Sequence, residues 1–534
     1  MTQSNHSDRE SIYAGQAAEQ GQDVVIVGAG PTGLLLAGDL AQRGVACTVL
    51  ERRVGPPDTT TTRAFAVHAR TLEQLDARGL ADRLIETGTT VDGLRLYGKV
   101  SISFAQLPSR FPYLLVTPQF NVERLLEERA VAAGARVLRG VSVVGLSQDA
   151  EGVSVRVRPV AVSGEAAGNG NAAGNGDAAA DDEAESVYRA KYVVGTDGVH
   201  STVRDALGLP YPGQPVVRSL MLADVRFAEP PTDVLTVAAV GDVFAFVAPF
   251  GDGWYRTFCW NRDHQVPPSA PLELSEIREV LERAFGTDFG LAEARWMSRF
   301  QSDERQVPEY RVGRVFLAGD AAHCHSPAGG QGMNTGIQDA ANLGWKLAAV
   351  LNGQTSDPER LLNSYHAERH PVGRQVLRSS GALVRLALIK SLAARTARDV
   401  LSSAAVRVPV IAHRATDTVS GIGIDYAKTP VFTDASGGHA EVGKRIGDLS
   451  LSDGRLYERL RDRRFVLIGQ SAEDAQLAED WKADVGYAVS AEVKHPMLLV
   501  RPDGYVAWAS DEKDPTARAS AVRKALTEWC GEPR

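Results

Sequence analysis

Residues 23–52 read DVVIVGAGPTGLLLAGDLAQRGVACTVLER. The apolar run Val24–Val27 predicts a strand, the glycines a turn, Pro31 to about Arg43 a helix, and Cys47–Leu50 a second strand. Gly28, Gly30 and Gly33 fit GxGxxG. In that pattern the first glycine permits a tight turn, the second lets backbone approach a pyrophosphate, and the third lets helix and strand pack closely. Helix-terminal N–H groups then face the phosphates. A lone GxGxxG is a weak signal, but here it follows a strand, opens a helix, and is followed by Glu51 at the end of the second strand, 18 residues past Gly33. A carboxylate there accepts both hydroxyls of an adenosine ribose and repels a 2′-phosphate, so the expected ligand is FAD or NAD rather than NADP. The bland alternative is a surface glutamate at a strand end, which the spacing disfavours. Only one such fingerprint exists, so any second dinucleotide binds without a unit of its own.

The rest of the chain sets the frame. At 534 residues it exceeds a single core, and about 100–200 residues per domain points to roughly three. With 44% hydrophobic and 23% charged residues and a net charge of −8, it has no basic excess for nucleic acid. Cys47, Cys259, Cys324 and Cys530 lie far apart with no CxxC pair, which argues against a disulfide framework or a zinc ribbon and for a cytoplasmic location. No apolar run approaches the ~18 residues of a membrane span, and the polar residues 1–21 are expected to be a disordered tail.

Further along, a helix is expected near Val122–Ala133, with strands around Arg136–Leu146 and Val153–Val157. The low-complexity segment 160–186 is expected as a flexible loop extending a hairpin. Residues 205–311 change character. In VFAFVAPFGDGWYRTFCW, two strands flank the turn Gly251-Asp252-Gly253, and the two-residue period puts Trp254, Arg256, Phe258 and Trp260 on one face. With Phe244 and Phe246, that face could line a broad flat pocket; an ordinary aromatic core is the alternative. Helical patterns run from Leu361 to about Leu401, and a small α/β unit from about 430 to the end. The expected division is a cofactor domain of 22–204 and 312–400, a β-sheet substrate domain of 205–311 that also receives part of 71–120, and a C-terminal domain of 430–534.

Residues 319–346, GDAAHCHSPAGGQGMNTGIQDAANLGWK, first suggest a metal through His323, Cys324 and His325. No further Cys or His stands nearby to complete a tetrahedral set. No metal is therefore expected, and His323 is read as buttressing the loop by hydrogen bonding.

GAGPTG, VVGTDGVHSTVR and VFLAGDAAHCHSPAGGQGMNTGIQDAANLGWKLA together resemble the single-component flavoprotein aromatic hydroxylases, the group A monooxygenases. LLVRPDGYVAW in the tail resembles the thioredoxin-like C-terminal domain of their phenol hydroxylase and aromatic polyketide hydroxylase branch, which includes rifampicin monooxygenases. The resemblance implies an α/β fold with a Rossmann-like FAD-binding domain, an interleaved β-sheet substrate domain and that thioredoxin-like domain. It implies non-covalent FAD with Asp320 on the ribityl chain, Gly329 to Gly332, including Gly330, passing close to the isoalloxazine, and Met333 and Asn334 opening a helix whose amides face the pyrimidine. Thr32, Arg52 and Pro327 join that cofactor set, as do Arg63, Arg70, Gln119 and Arg124. Asp197, with Ser201 and Arg204 following, is implied to contact FAD directly or through water and to affect use of the reduced nicotinamide.

The implied reaction takes a hydride from NADPH or NADH, reacts reduced flavin with O₂, and delivers one oxygen from a flavin hydroperoxide to an aromatic small molecule. A polycyclic polyketide or ansamycin is the preferred substrate; a simple phenol, Baeyer–Villiger insertion, or a non-catalytic flavoprotein sequestering a drug are the alternatives. No catalytic base is assignable, and a monomer or homodimer is expected, with no membrane partner. The WxWxIP signature of flavin halogenases is absent. The C-terminal domain holds only Cys530, so no thiol redox chemistry is expected there.

Overall fold

The glycine turn of the first stretch leads off a parallel sheet. The computed structural model describes residues 21–56, 62, 64–97, 100–160, 185–387, 389, 391–433, 438–491 and 495–533. Arg63, residues 1–20 of the expected tail and 161–184 of the expected loop lie outside the described residues. β1 (Gln22–Val27), α1 (Pro31–Gln42) and β2 (Cys47–Glu51) follow the order expected from sequence. Then come β3 (Ala66–Val67), α2 (Ala69–Asp76), α3 (Gln119–Ala132), β4 (Arg136–Arg139), β5 (Val141–Gln148), β6 (Val153–Pro159), β7 (Ser186–Gly195) and α4 (Thr202–Ala206).

The next run is largely strand: β8 (Gly213–Phe227), β9 (Thr236–Val240), β10 (Val243–Pro249), β11 (Tyr255–Asn261), α5 (Leu274–Phe285) and β12 (Leu291–Gln306). β13 (Arg311–Val312), β14 (Val315–Leu317) and β15 (His323–Cys324) lead into the long helices α6 (Gln331–Leu351) and α7 (Pro358–Ala387). Helix continues past the expected end near Leu401, through α8 (Leu392–Ala405) and α9 (Pro409–Ser420), because Pro409 occupies the first turn of α9, where its missing N–H costs nothing.

The first sheet runs β13-β14-β7-β1-β2-β4, with β6 hairpinned onto β7 and paired to β5. From β14 through β4 the neighbours are parallel. Val24, Val25 and Ile26 are each 0% exposed, the unbroken apolar run that a strand covered on both faces requires. Leu34, Leu35 and Leu36 of α1 are also fully buried, each stabilising by roughly 1.5–3 kcal/mol.

The second sheet, β9-β10-β11-β8-β12-β15, is antiparallel. Alternation divides it. Met221, Ala223 and Cys259 pack on Ile277, Val280 and Leu281 of α5, whereas Leu220, Leu222, Phe258 and Trp260 gather on the opposite face. β15 lies within the 319–346 stretch yet pairs with β12, Arg305 against Cys324 and Gln306 against His323. That stretch therefore stitches the two sheets together.

Towards the C-terminus, β16 (Phe465–Gly469), β17 (Val485–Val489), β18 (Met497–Val500), β19 (Val506–Ser510) and α10 (Pro515–Cys530) form a smaller unit with sheet order β17-β16-β18-β19. It docks on α6, where the Trp345 ring meets Phe465 at 5.3 Å and Trp529 at 6.5 Å between centroids. Beside them lies a buried ionic cluster: Glu368 accepts from Lys346 at 2.9 Å and from Arg501 at 2.8 and 2.9 Å, and Arg501 also pairs with Asp503.

Burial alone would raise the Glu368 pKa, but Arg501 and Lys346 outweigh it and hold it at about 2. Asp39 of α1 is likewise held at about 2 against burial by Arg78, Arg129 and Arg463. Both carboxylates bind protons less tightly folded than unfolded, where their ordinary values are 4.5 and 3.8. Their contribution is therefore complete above the unfolded values and is lost as the pH falls towards 2. Denaturant unfolding should lose a few kcal/mol between about pH 5 and pH 3, and a flat profile across that interval would show these clusters to be energetically neutral.

Candidate active site

Four strand ends come together. Gly28 follows β1, Glu51 ends β2, Asp197 stands two residues past β7, and Asp320 three past β14, all at the carboxyl ends of adjacent parallel strands. Open α/β sheets bind ligands in that crevice. Gly28 has φ +103°, and a Cβ on it would lie 2.6 Å from the Thr196 carbonyl oxygen. A Cβ on Gly33 would strike the Gly28 carbonyl, whereas one on Gly30 meets nothing within 4 Å. Gly30 thus faces open space at the start of α1, a helix that no side chain caps. The arrangement is a cradle of unclaimed helix N–H groups, suited to a phosphate.

Glu51 borders this cradle. One carboxylate oxygen accepts from the Ala29 N–H at 2.7 Å and the other from the Arg53 backbone N–H at 2.9 Å and Nε at 3.2 Å. Burial would raise its pKa, but Arg53 reverses the shift and Glu51 stays ionised. Arg53 also reaches Glu123 and the Ala29 carbonyl. Arg52, the residue expected here, is exposed. Two successive arginines point to opposite sides of an extended chain, and sequence does not say which turns inward.

Across the crevice, Asp339 of α6 gathers the 319–346 stretch. Its Oδ2 accepts from the Gly319 N–H at 3.1 Å and lies 2.6 Å from His323 Nε2, while its Oδ1 accepts from Arg369 Nε at 2.6 Å. His323 is the buttress expected from sequence. Asp320 itself is exposed, and its carbonyl accepts from the Tyr211 hydroxyl. α6 opens at Gly330, φ +63°, after a turn closed by the Gly330 N–H on the Pro327 carbonyl, again with no side-chain cap. A Cβ on Gly332 would sit 3.7 Å from His325 Nε2 and 3.9 Å from an Asp320 carboxylate oxygen. Among the described residues that His325 nitrogen is buried without a partner, and burial lowers the ring's pKa to about 4, so the imidazole is neutral. On the next turn Gly336 admits Thr32 of α1, whose Oγ1 a Cβ would hit, with Gly319 Cα only 3.2 Å away.

Asn334 is committed to the chain. Its Oδ1 accepts from the His68 N–H and its Nδ2 donates to the Ala66 and Gly330 carbonyls, clamping β3 to the start of α6. Met333 packs partly buried against the main core. Gln119 accepts from the Ala64 N–H and donates to Glu123, and Arg124 is exposed one position beyond. Asp197 accepts from the Ser201 hydroxyl at 2.5 Å and from the Val203 N–H at 3.2 Å, tying down the start of α4. Arg204 lies over the Tyr211 ring and donates to the Ala321 carbonyl.

Three expectations are corrected. Arg70 is 0% exposed and donates to Glu73, the Tyr457 hydroxyl and the Asp503 carbonyl, so it is a strut to the C-terminal unit rather than a cofactor contact. Arg256, also 0% exposed, is consumed by a two-point pair with Asp224 at 2.7 and 2.9 Å and a bond to the Thr62 carbonyl, so it offers nothing to a pocket. Trp254 precedes β11 and lies against Arg226 and Arg295, each 4.6 Å from its ring centroid, and is not among the residues clustered with Phe258 and Trp260. What remains there is coherent. Phe65 of the β3 approach stacks on Phe246 at 5.4 Å and meets Phe258 at 5.8 Å, while Phe244, Phe258 and Trp260 join Ala328 and Val384 in one cluster. The aromatic face thus adjoins the Pro327–Gly332 loop. Phe65 and Asp339 were not foreseen, because their partners lie far away in sequence.

Asp339→Asn should leave Arg369 buried without its counter-charge, costing about 3–5 kcal/mol. The variant is expected to melt lower and retain less flavin per protein, read from visible against ultraviolet absorbance. A parent-like melting temperature and flavin ratio would show that the loop holds without this node.

Comparison with known proteins agrees with this geometry. Residues 22–380 match the FAD binding domain family and residues 439–533 the family described as aromatic-ring hydroxylase, C-terminal. The chain is 38% identical to rifampicin monooxygenase of Streptomyces venezuelae over 495 residues, 92% of this chain and 96% of that protein. It is 32% identical to pentachlorophenol 4-monooxygenase of Sphingobium chlorophenolicum over 92% of this chain and 88% of that one. Among solved structures, anhydrotetracycline hydroxylase from Streptomyces rimosus superposes with a TM-score of 0.80 at 34% identity, covering 96% of this chain and all of that one. With a glycine cradle at the strand ends, an aromatic sheet face beside the Pro327–Gly332 loop and both family matches in place, the chain belongs to the FAD-dependent aromatic-ring hydroxylases.

Proposed function

We propose that this protein is a monooxygenase that uses FAD, NADPH or NADH, and O₂ to hydroxylate a polycyclic aromatic substrate of polyketide or ansamycin type. The observation that carries the reading is the aromatic face of the antiparallel sheet, set beside the Pro327–Gly332 loop. Relatives named for rifampicin and anhydrotetracycline support a large substrate, and the one named for pentachlorophenol keeps a single-ring phenol as the competitor.

The residues present fit FAD. Gly30 leaves the space that a Cβ would fill at an uncapped helix start, and His325 Nε2 is a buried polar atom at Gly332 without a partner among the described residues. Gly28 to Gly33, with Thr32, would hold the pyrophosphate, Glu51 the ribose, and Asp320 the ribityl chain. The start of α6, with Gly330, Gly332 and the Met333 amide, would flank the ring system, and Gln119 and Arg124 would approach it from α3. When bound, FAD supplies hydride acceptance and oxygen activation. The chain's part is to orient cofactor and substrate and to exclude water. An uncapped α6 N-terminus favours negative charge at its end by about 0.3–2 kcal/mol. Asp197 anchors the turn into α4, which would place it to influence reduction by a nicotinamide that visits without a domain of its own.

We read the parallel unit as Rossmann-like and the C-terminal sheet as thioredoxin-like, on its order β17-β16-β18-β19 with only β16 and β17 parallel. Burial pushes the Cys530 thiol well above its ordinary pKa, which supports a structural rather than redox role. Cys530→Ser should leave turnover unchanged; a large loss of hydroxylation would reverse that assignment.

Glu51→Arg should purify with little FAD, and equal retention would displace the ribose from this carboxylate. With the parent enzyme, an aromatic polyketide or ansamycin should accelerate NADPH oxidation and gain one oxygen atom, labelled when ¹⁸O₂ is used. A ligand that binds without accelerating NADPH oxidation, or label arriving from water, would favour sequestration instead.

A further inference from the structure

The inner face of the antiparallel sheet carries polar atoms that the fold does not use. Strand pairing sets Phe258, Leu222 and Ser298 in one row across β11, β8 and β12. Leu220 pairs with Phe300 in the next, and Val217 with Ser302 beyond it. Paired residues and alternate residues of one strand share a face, so Ser298, Phe300, Ser302 and Glu304 of β12 all project where Leu220, Leu222, Phe258 and Trp260 do. Ser298, Ser302 and Trp260 are only 5%, 3% and 7% exposed. Yet among the described residues Ser298 Oγ, Ser302 Oγ, Trp260 Nε1 and one of the two Glu304 carboxylate oxygens, Oε1, have no hydrogen-bond partner.

Buried polar groups left without partners cost about 1–3 kcal/mol each and are uncommon in native structures. Finding them together, bordering one apolar patch that also touches Ala328 of the cofactor loop, points to a common ligand. Glu304 has space made for it: a Cβ on Gly381 of α7 would collide with its carboxylate. Burial raises the Glu304 pKa, with Arg385 and a hydrogen bond from Ser380 of α7 opposing.

The dimensions select the ligand. Ser298 and Ser302 are four residues apart along a strand, about 14 Å at 3.4 Å per residue. Trp260 lies on β11, two strands from β12, about 10 Å away at 4.8 Å per strand. One benzene ring reaches only a fraction of that frame. Chemistry narrows it further: an indole N–H only donates, a serine hydroxyl donates or accepts, and an ionised carboxylate only accepts.

Resting on the monooxygenase reading above, we propose that Ser298, Ser302, Trp260 and Glu304 form a polar frame that selects an elongated fused-ring aromatic bearing hydroxyl and carbonyl oxygens at its edges. The rings lie against Phe244, Phe258 and Phe300, the partly buried aromatics of the patch, a carbonyl oxygen accepts from Trp260, and a phenolic O–H donates to Glu304. A site built to bond a hydroxyl rejects the analogue that lacks it, because its own groups are then left unpaired.

The test uses the FAD-loaded full chain and three probes: 1,8-dihydroxyanthraquinone, unsubstituted anthraquinone and phenol. Binding is read from the flavin difference spectrum, and turnover from NADPH oxidation. Ser302→Ala and the shape-preserving Glu304→Gln are compared with the parent after matching flavin content and melting temperature, so that a folding defect is seen as such. The parent should bind the dihydroxy compound more tightly than anthraquinone and far more tightly than phenol. Each variant should lose about tenfold for the dihydroxy compound and little for anthraquinone. Variants that weaken both tricycles equally, or neither, overturn the frame while leaving the monooxygenase reading intact. Discrimination that follows the variants without any stimulated NADPH oxidation upholds the frame and overturns the enzyme. Preference of the parent for phenol overturns the size argument.

Discussion

The site depends on a buried carboxylate that never needs to meet a ligand. Asp339 lies on α6, yet its two oxygens hold the Gly319 amide, the His323 ring and the Arg369 guanidinium at once. Burial alone would drive the carboxylate towards its neutral form, but Arg369 and His323 keep its pKa below the ordinary value. The charge is affordable only as a set, since any member left alone would face a desolvation cost of several kcal/mol. Through this node the end of β14, the strand β15 and the helix α6 become one rigid piece.

Arg369 carries the same constraint outward. It donates to the Tyr426 hydroxyl, whose ring lies 4.3 Å from Tyr505, and Arg501 sits over both rings while bonding Glu368 and Asp503. Arg70 and Gln74 of α2 reach the Asp503 carbonyl from the other side. The C-terminal unit is thus bound by charge as well as by the Trp345 contacts, against the back of the helix that opens at the Pro327–Gly332 loop. Its buried ion pairs are poor evidence of stability by themselves, but they specify one register between the units, because a shifted interface would strand several charges in a dry environment.

The front of the site is organised by different physics. Near Gly330 and Gly332 the two imidazoles are neutral: burial lowers the pKa of both His68 and His325 to about 4. Helix N–H groups supply the electrostatics without mobile charge, so little reorganisation is required when charge develops nearby. Asn334 and the Phe65 stack join the β3 approach to this loop and to the aromatic sheet face, so the loop and that face share supports.

The amino-acid sequence alone determined whatever rests on local geometry. A strand, a glycine turn and a helix with Glu51 at the next strand end follow from φ freedom, apolar periodicity and spacing, and the same holds for the hairpin around Gly251-Asp252-Gly253 and for His323 as a buttress. Tertiary structure decided what rests on distant partners. Arg53 rather than Arg52 turns inward because Glu123 waits on α3; Arg70 leaves the cofactor for a carbonyl at Asp503, 433 residues away; Arg256 is claimed by Asp224. Asp339 looks in sequence like any polar residue on an amphipathic helix, and Ser298 and Ser302 like ordinary strand serines. Their significance comes from long-range packing, which removes water and leaves each polar atom to be paired by whatever the fold, or a ligand, brings within reach.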